Sequence, residues 1–225
     1  MTMREEWNGI SVPTLYKGIQ FRRRLEARWA VFFDELGIEW DYEPETFETK
    51  YGYYMPDFFL PSINRWFIVK GTKMHDDERK KVYDLCRLTN ATAIISNGSI
   101  PEKFGFHFPG DSSHCNNFEL LKVDKYEQTE CWCIWDSRFF EVKPHVCSQY
   151  GDTFEGGDYD YLPCFCSKCG KFDFQYEGRY ERNCECANSD GGYYEPPNPK
   201  IVRALQKART AYFNQETKQF TVRNF

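Results

Sequence analysis

Between Phe21 and Ser96 the hydrophobic period of the chain changes three times, and these changes restrict the fold more than any single residue does. From Phe21 to Gly37 the sequence reads FRRRLEARWAVFFDELG. Leu25, Trp29, Phe32 and Leu36 fall at helical spacing and form one apolar stripe, and Gly37 is a good terminator. Ile38, Trp40 and Tyr42 then alternate with Glu39, Asp41 and Glu43, the period of a strand. Tyr53 to Leu60 is a second strand candidate. Trp66 to Lys70 is a third, mostly apolar, which predicts a central strand. Asp76 reads as an N-cap with Asp77 and Glu78 in the first turn of a second helix, whose inner face is Val82, Leu85, Cys86 and Thr89. Thr92 to Ser96 is a short fourth strand, closed by Asn97-Gly98. The predicted order is αβββαβ, in the α/β (α+β) class.

Two side chains stand out within this frame. Asp57 follows Pro56 in the second strand and Lys70 closes the third. Residues two apart on a strand share a face, so position 68 lies beside Lys70. That position is Ile68, which can ligate nothing. Taken singly, Asp57 also reads as a turn residue, Lys70 as a strand-end lysine, and Glu26 as a helix acid paired with Arg22 one turn away.

Taken together, the element order and the segments Arg22 to Ala30, Tyr42-Glu43-Pro44-Glu45, Pro56-Asp57-Phe58, Val69-Lys70-Gly71 and Gly98-Ser99-Ile100-Pro101 resemble the PD-(D/E)xK nuclease superfamily. Within it they resemble a group of phage and bacterial proteins whose first helix reads R-x-R-x-E-A-R-W-A. The resemblance covers about Tyr16 to Pro101. It implies a restriction-endonuclease-like core and a metal-dependent DNA nuclease, a phosphodiester hydrolase of endonuclease type. Such chemistry needs a hard cation, Mg²⁺ or Mn²⁺, held by carboxylates and shared with the scissile phosphate. By the resemblance Glu26 is the first-helix acid, Asp57 the central magnesium ligand, and Lys70 the catalytic lysine that steadies the attacking water or the developing charge. The departure is Ile68, where an acid is expected. Asp77, Glu78 and Asp84 on the second helix are candidates to replace it, an arrangement that some restriction enzymes use, although Asp77 and Glu78 read first as ordinary capping acids of the first turn, which leaves Asp84 beside the apolar stripe; Glu45 matches a recurrent glutamate of the group. The other reading is a catalytically inactive nuclease fold, retained as a DNA-binding or protein-interaction module in a phage or defence complex.

The C-terminal half carries a second signal. Cys166-Ser-Lys-Cys169-Gly170 is followed by Cys184-Glu-Cys186, with fourteen residues between Cys169 and Cys184. Two cysteine pairs on separate turns can wrap one Zn²⁺ tetrahedrally, and the glycine lets the first knuckle fold tightly. Phe172, Phe174 and Tyr176 alternate between them, with a turn signal at Glu177-Gly178, which predicts a β-hairpin clipped by metal. The alternative is a disulfide pair; no signal peptide is visible, and a reducing cytoplasm (the host's, for a phage protein) favours zinc. Cys131, Cys133, His145 and Cys147 are thinkable as a second metal site but read more simply as buried thiols. Cys164 could compete as a ligand, Cys86 reads as core, and Cys115 beside His114 has no evident partner.

The 225 residues divide into an irregular arm (1–15), the nuclease-like core (16–110), a β-rich connector (111–160), the ribbon (161–190), a Gly- and Pro-rich linker, and a final helix (198–215) with Ile201, Leu205, Ala208 and Tyr212 on one stripe. No apolar run approaches membrane-spanning length, so no membrane partner is expected. A net charge of −5 excludes a generally basic nucleic-acid coat. A nuclease needs only a local basic rim, which Arg22-Arg23-Arg24-Arg28 and Arg79-Lys80-Lys81 could supply; each group reads equally as a solvated helix face. The zinc reading has a direct check. Freshly purified, reduced protein should carry about one zinc per chain by elemental analysis, and Cys169→Ser should lower that content. Zinc-free protein would remove the ribbon.

Overall fold

The computed structural model describes residues 12–72, 74–100, 118–121, 141–142, 161–166, 169–176, 198–214 and 219–222. It opens with a hairpin, β1 (Thr14–Tyr16) and β2 (Ile19–Phe21), turned by Lys17 and Gly18, both at positive φ. That geometry suits a two-residue turn between twisted strands. It carries regular structure two residues into the stretch expected to be an irregular arm.

α1 (Arg24–Leu36) follows, and Gly37 at φ 68° closes it by donating its amide back to the last turn. Leu25 and Leu36, at the ends of the expected stripe, are only half-buried. Ala27, Ala30, Val31 and Phe33 are buried instead, along with Trp29 and Phe32. The reason is that α1 is covered on two sides, by the sheet and by a later helix.

The central sheet grows from β3 (Asp41–Tyr42), of which only two residues pair, although alternation had suggested a strand from Ile38. β4 (Phe47–Thr49) and β5 (Gly52–Tyr54) form a separate hairpin. β6 (Phe58–Leu60) is distinct from β5, because Met55-Pro56-Asp57 interrupts what the sequence reads as one strand. Pro56 has no amide to give to a ladder. A 3₁₀ turn (Pro61–Ile63) leads into β7 (Arg65–Lys70). α2 (Asp76–Thr89) has His75 rather than Asp76 at its N-cap, so Asp76, Asp77 and Glu78 all lie in the first turn. β8 (Thr92–Asn97) follows. Five strands rather than the expected three lie between α1 and α2, because β4 and β5 form a hairpin outside the central sheet.

Two short strands from the connector extend the sheet, β9 (Phe118–Leu121) and β10 (Glu141–Val142). The full strand order is β10-β9-β8-β7-β6-β3. β3, β6 and β7 run antiparallel in turn, and β7 and β8 run parallel across α2. The coarse class is mixed α and β.

β7 is the hub. Phe67 and Val69 face a core shared with Phe21, Trp29, Phe33 and Phe58. Trp66 and Ile68 face the other way, into a core with Val82, Leu85 and Cys86 of α2. Burial on both faces explains why this strand reads as an almost unbroken apolar run.

β11 (Tyr161–Phe165) and β12 (Phe172–Tyr176) pair antiparallel. The partner of β12 therefore precedes the Cys166–Cys169 pair. The Glu177-Gly178 turn expected to close a following hairpin lies outside the described residues. Phe172 and Phe174 enter the α1 core, with Phe174 stacked 5.6 Å from Phe67 between ring centres. α3 (Pro199–Thr210) docks on α1 through Ile201, Ala204, Leu205 and Ala208, and Lys207 pairs with Glu35 at 2.6 Å. It stops at Thr210. Ala211 and Phe213 turn inward from β13 (Ala211–Asn214), which pairs with β14 (Gln219–Val222). Tyr212, expected on the helix stripe, is 44% exposed because it points outward from this strand.

One polar link crosses this core. Arg65, 3% exposed, grips Asp173 through two bonds, Nε to Oδ1 at 2.6 Å and Nη2 to Oδ2 at 3.1 Å. Its third nitrogen reaches Thr92. Removing one partner leaves a buried charge unmatched, so Asp173→Ala should cost about 3–5 kcal/mol in chemical denaturation. Pairing Arg65→Met with Asp173→Leu should recover most of that loss. A single variant as stable as wild type would show that the pair is not closed in solution.

Candidate active site

The site is assembled where the β6–β7 ladder ends. The register pairs Phe58 with Phe67, and one further step would set Asp57 opposite Ile68. Instead the pairing stops, and the Asp57 side chain takes over: its Oδ2 accepts the Val69 amide at 2.8 Å. The Asp57 carbonyl accepts the Glu43 amide at 2.9 Å. Asp57 is thus fixed by backbone on two sides and is only 4% exposed.

Arg22 approaches from the end of the β1–β2 hairpin. Phe21 is fully buried, 4.3 Å from Tyr42 between ring centres, and anchors the residue after it. The Arg22 amide donates to the Tyr42 hydroxyl at 3.0 Å. Its guanidinium spans two carboxylates, Asp57 Oδ1 at 3.0 Å from Nη2 and Glu43 Oε1 against Nε.

Glu26 is completely buried in the first turn of α1. Its Oε2 accepts the Tyr42 hydroxyl at 2.7 Å and the Arg23 amide at 3.1 Å. The second bond is one half of a capping box, so Glu26 has a helix-starting role as well as a place in the site. Oε1 accepts no hydrogen bond among the described residues. Burial together with the nearby Glu26 charge raises the Asp57 carboxyl to about 6, despite the opposing pull of the Val69 amide, Lys70 and Arg22.

Lys70 is ion-paired with Glu78, on the first turn of α2. The buried Tyr54 phenol is held well above the usual range by desolvation, then by the Asp57 and Glu78 charges. Glu26, Asp57, Lys70 and Glu78 are therefore brought into one neighbourhood, with Arg22, Glu43, Tyr42 and Tyr54 around them.

Other expected residues lie elsewhere. Asp84 is engaged at the β4–β5 turn, accepting the Lys50 amide at 2.7 Å and Arg87 Nε at 2.9 Å. Glu45 is exposed and, among the described residues, carries no ion pair. Asp77 is on the surface, paired with Lys80. Arg79 is 4% exposed and is not part of a solvated basic rim. Ile68 shares the Lys70 face as expected, but it is fully enclosed beneath α2. A glutamate there would replace core and bury a charge, rather than simply complete a site. Sequence reasoning had no signal for Arg22 as an Asp57 partner, nor for Tyr42 and Tyr54, which read as apolar strand positions.

Among the described residues no three histidine, cysteine, aspartate or glutamate side chains are grouped closely enough to hold a metal ion. The acids are instead matched by Arg22 and Lys70. Mg²⁺ nonetheless suits such a donor set chemically, because it is commonly held by one or two carboxylates with water and substrate phosphate completing its shell. Asp57 with Glu78 or Glu26 would provide those carboxylates.

At the other candidate centre, Cys166 is buried and Cys169 exposed, both as thiols. The Gly170 amide returns to the Cys166 carbonyl at 2.8 Å and the Cys166 amide to the Lys171 carbonyl at 2.8 Å, with Gly170 at φ 73°. This closed turn is the knuckle that the spacing leads one to expect, and it uses the glycine's tolerance of positive φ. Cys184 and Cys186 lie outside the described residues, as do Cys115, Cys131, Cys133, His114, His145 and Cys147. Cys164 donates to the Asp173 carbonyl at 3.4 Å, and Cys86 is core. Comparison with protein-family models, curated proteins and solved structures finds no match.

The raised Asp57 carboxyl makes a pH prediction. The folded state binds this proton more tightly than the unfolded chain does. Its contribution to stability is therefore complete below the unfolded value of 3.8 and declines as pH rises through about 6. The effect amounts to at most about 3 kcal/mol. Denaturation midpoints from pH 4 to 7 should show this decline in wild type and lack it in Asp57→Asn. Parallel profiles would place the Asp57 carboxyl in its ordinary range.

Proposed function

We propose that this chain is a divalent-metal-dependent nuclease acting on DNA, in which Glu78 replaces the acid missing at position 68. The observation that carries this reading is the Lys70–Glu78 ion pair, with Lys70 close enough to buried Asp57 for its charge to act on that carboxyl. β3, β6 and β7 run antiparallel and β7 and β8 parallel across α2, which sets the first turn of α2 beside the end of β7. Glu78 reaches Lys70 from the helix that covers Ile68, so the acid returns to the same lysine by another route.

In this proposal Asp57 and Glu78 hold Mg²⁺ or Mn²⁺. The cation, when bound, supplies Lewis-acid stabilisation of the phosphate and a more acidic water. Lys70, released from Glu78, neutralises charge developing on the phosphate and orients the attacking water. Glu26 holds Tyr42, and Tyr42 holds the Arg22 backbone, which fixes the wall of the site. The Cys166–Cys169 knuckle contributes half of a structural zinc site, which Cys184 and Cys186 would complete. No helix among the described residues is long and apolar enough to cross a membrane.

A second reading has its own support. Asp57 and Glu78 are each already matched by a cation, Arg22 and Lys70. A nuclease fold retained only to bind DNA or a protein partner would keep that arrangement.

Cleavage assays on double- and single-stranded DNA with Mg²⁺ or Mn²⁺ separate the two. Activity should fall about 100-fold or more in Asp57→Ala, Lys70→Met and Glu78→Gln, since each removes a group acting on the phosphate. Glu45→Gln should leave it unchanged. Cleavage indifferent to Asp57→Ala would indicate a contaminating enzyme. No cleavage, with DNA binding that weakens steeply with salt and in Lys70→Ala, would favour the silent fold. No binding to nucleic acid at low salt would leave the protein-partner reading.

A further inference from the structure

We propose that Arg22 is a built-in counter-ion that closes the metal site until nucleic acid arrives, so that metal and phosphate backbone bind with positive coupling. The inference rests on the metal-site reading above and concerns how that site is opened. Both oxygens of Asp57 are already used: Oδ2 by the Val69 amide and Oδ1 by the Arg22 guanidinium. The Val69 amide belongs to β7 and cannot leave without breaking the sheet. Arg22 can leave. Its side chain is 45% exposed, whereas its backbone is pinned by the Tyr42 hydroxyl and by Phe21 beneath it.

Three acids face this guanidinium: Asp57, Glu43 and, at longer range, Glu26. A divalent cation at Asp57 Oδ1 must compete with it, and once bound would repel it. A phosphodiester at the mouth of the site offers the guanidinium a bidentate partner. Moving there uncovers Oδ1. Metal and DNA then each favour the state in which Arg22 has left Asp57, and by linkage each raises the affinity of the other by the same factor.

The test is Mn²⁺ binding to the full chain, read from the electron paramagnetic resonance signal of the free ion. It is run with and without a phosphorothioate duplex that resists hydrolysis, on the wild type, Arg22→Met, Arg22→Gln, Arg22→Lys and Asp57→Asn. Wild type should bind Mn²⁺ weakly alone and about tenfold or more tightly with DNA. Arg22→Met and Arg22→Gln should bind tightly without DNA and lose most of the coupling. Arg22→Lys retains a cation without the bidentate fork and should fall between. Thermal melts establish which variants fold, and either neutral substitution suffices. Neutral variants with unchanged or weaker Mn²⁺ affinity, where Asp57→Asn still abolishes binding, would overturn the counter-ion role alone. Mn²⁺ binding that is absent throughout, or indifferent to Asp57→Asn, would overturn the metal site itself.

Discussion

Burial of β7 on both faces is the constraint on which the rest of this structure depends. A six-residue strand with no exposed face must be covered twice. α1 and the β11–β12 hairpin do so on one side, α2 on the other. The aromatic weight of the chain is spent here: Trp29, Phe33, Phe58, Phe67 and Phe174 meet edge-on or tilted within one core. Such pairs contribute beyond the area they bury. The strand starts with a buried arginine and ends with the lysine of the candidate site, so the same element ties the C-terminal hairpin to the core and positions the chemistry.

The site follows from how that strand is bordered. Pro56 cannot extend the ladder, so pairing ends at Phe58 and the Val69 amide needs another acceptor. Asp57 supplies it. A carboxylate fixed in this way is held in a dry place next to a second buried acid, Glu26. The cost of that juxtaposition appears as the raised Asp57 carboxyl. Arg22 and Lys70 offset the charge from opposite sides, one from the N-terminal hairpin and one from β7 with its Glu78 partner. This balance of buried charge is the property that a metal ion or a phosphate would exploit.

The C-terminal elements are integral to this arrangement. Asp173 neutralises Arg65, and the Asp173 carboxylate also receives the Phe174 amide at 2.7 Å, which sets the strand that carries Phe172 and Phe174 into the core. The cysteine knuckle forms the turn between β11 and β12. A metal held there would be mechanically linked, through one hairpin and one ion pair, to the strand that bears Lys70.

The sequence by itself determined α1, α2 and the strand segments around β3, β6, β7 and β8, because periods of 3.6 and 2 are local properties of the chain; the β1–β2 and β4–β5 hairpins left no such signal. It also marked Asp57, Lys70 and Glu26, the knuckle glycine, and β7 as a central strand. Only the tertiary structure decided the rest. Which of Glu45, Asp77, Glu78 and Asp84 stands near Lys70 depends on how α2 lies on the sheet, and no local pattern encodes that; Glu78 meets the lysine while Asp84 closes a distant turn. The second apolar face of α1 became legible only once α3 covered it, and α3 stops at Thr210 because Ala211 and Phe213 are required by a strand pair. Arg22 on Asp57 and Arg65 on Asp173 join residues 35 and 108 positions apart. Long-range charge pairing is chosen by the folded geometry, since in sequence each arginine has nearer acids to choose from.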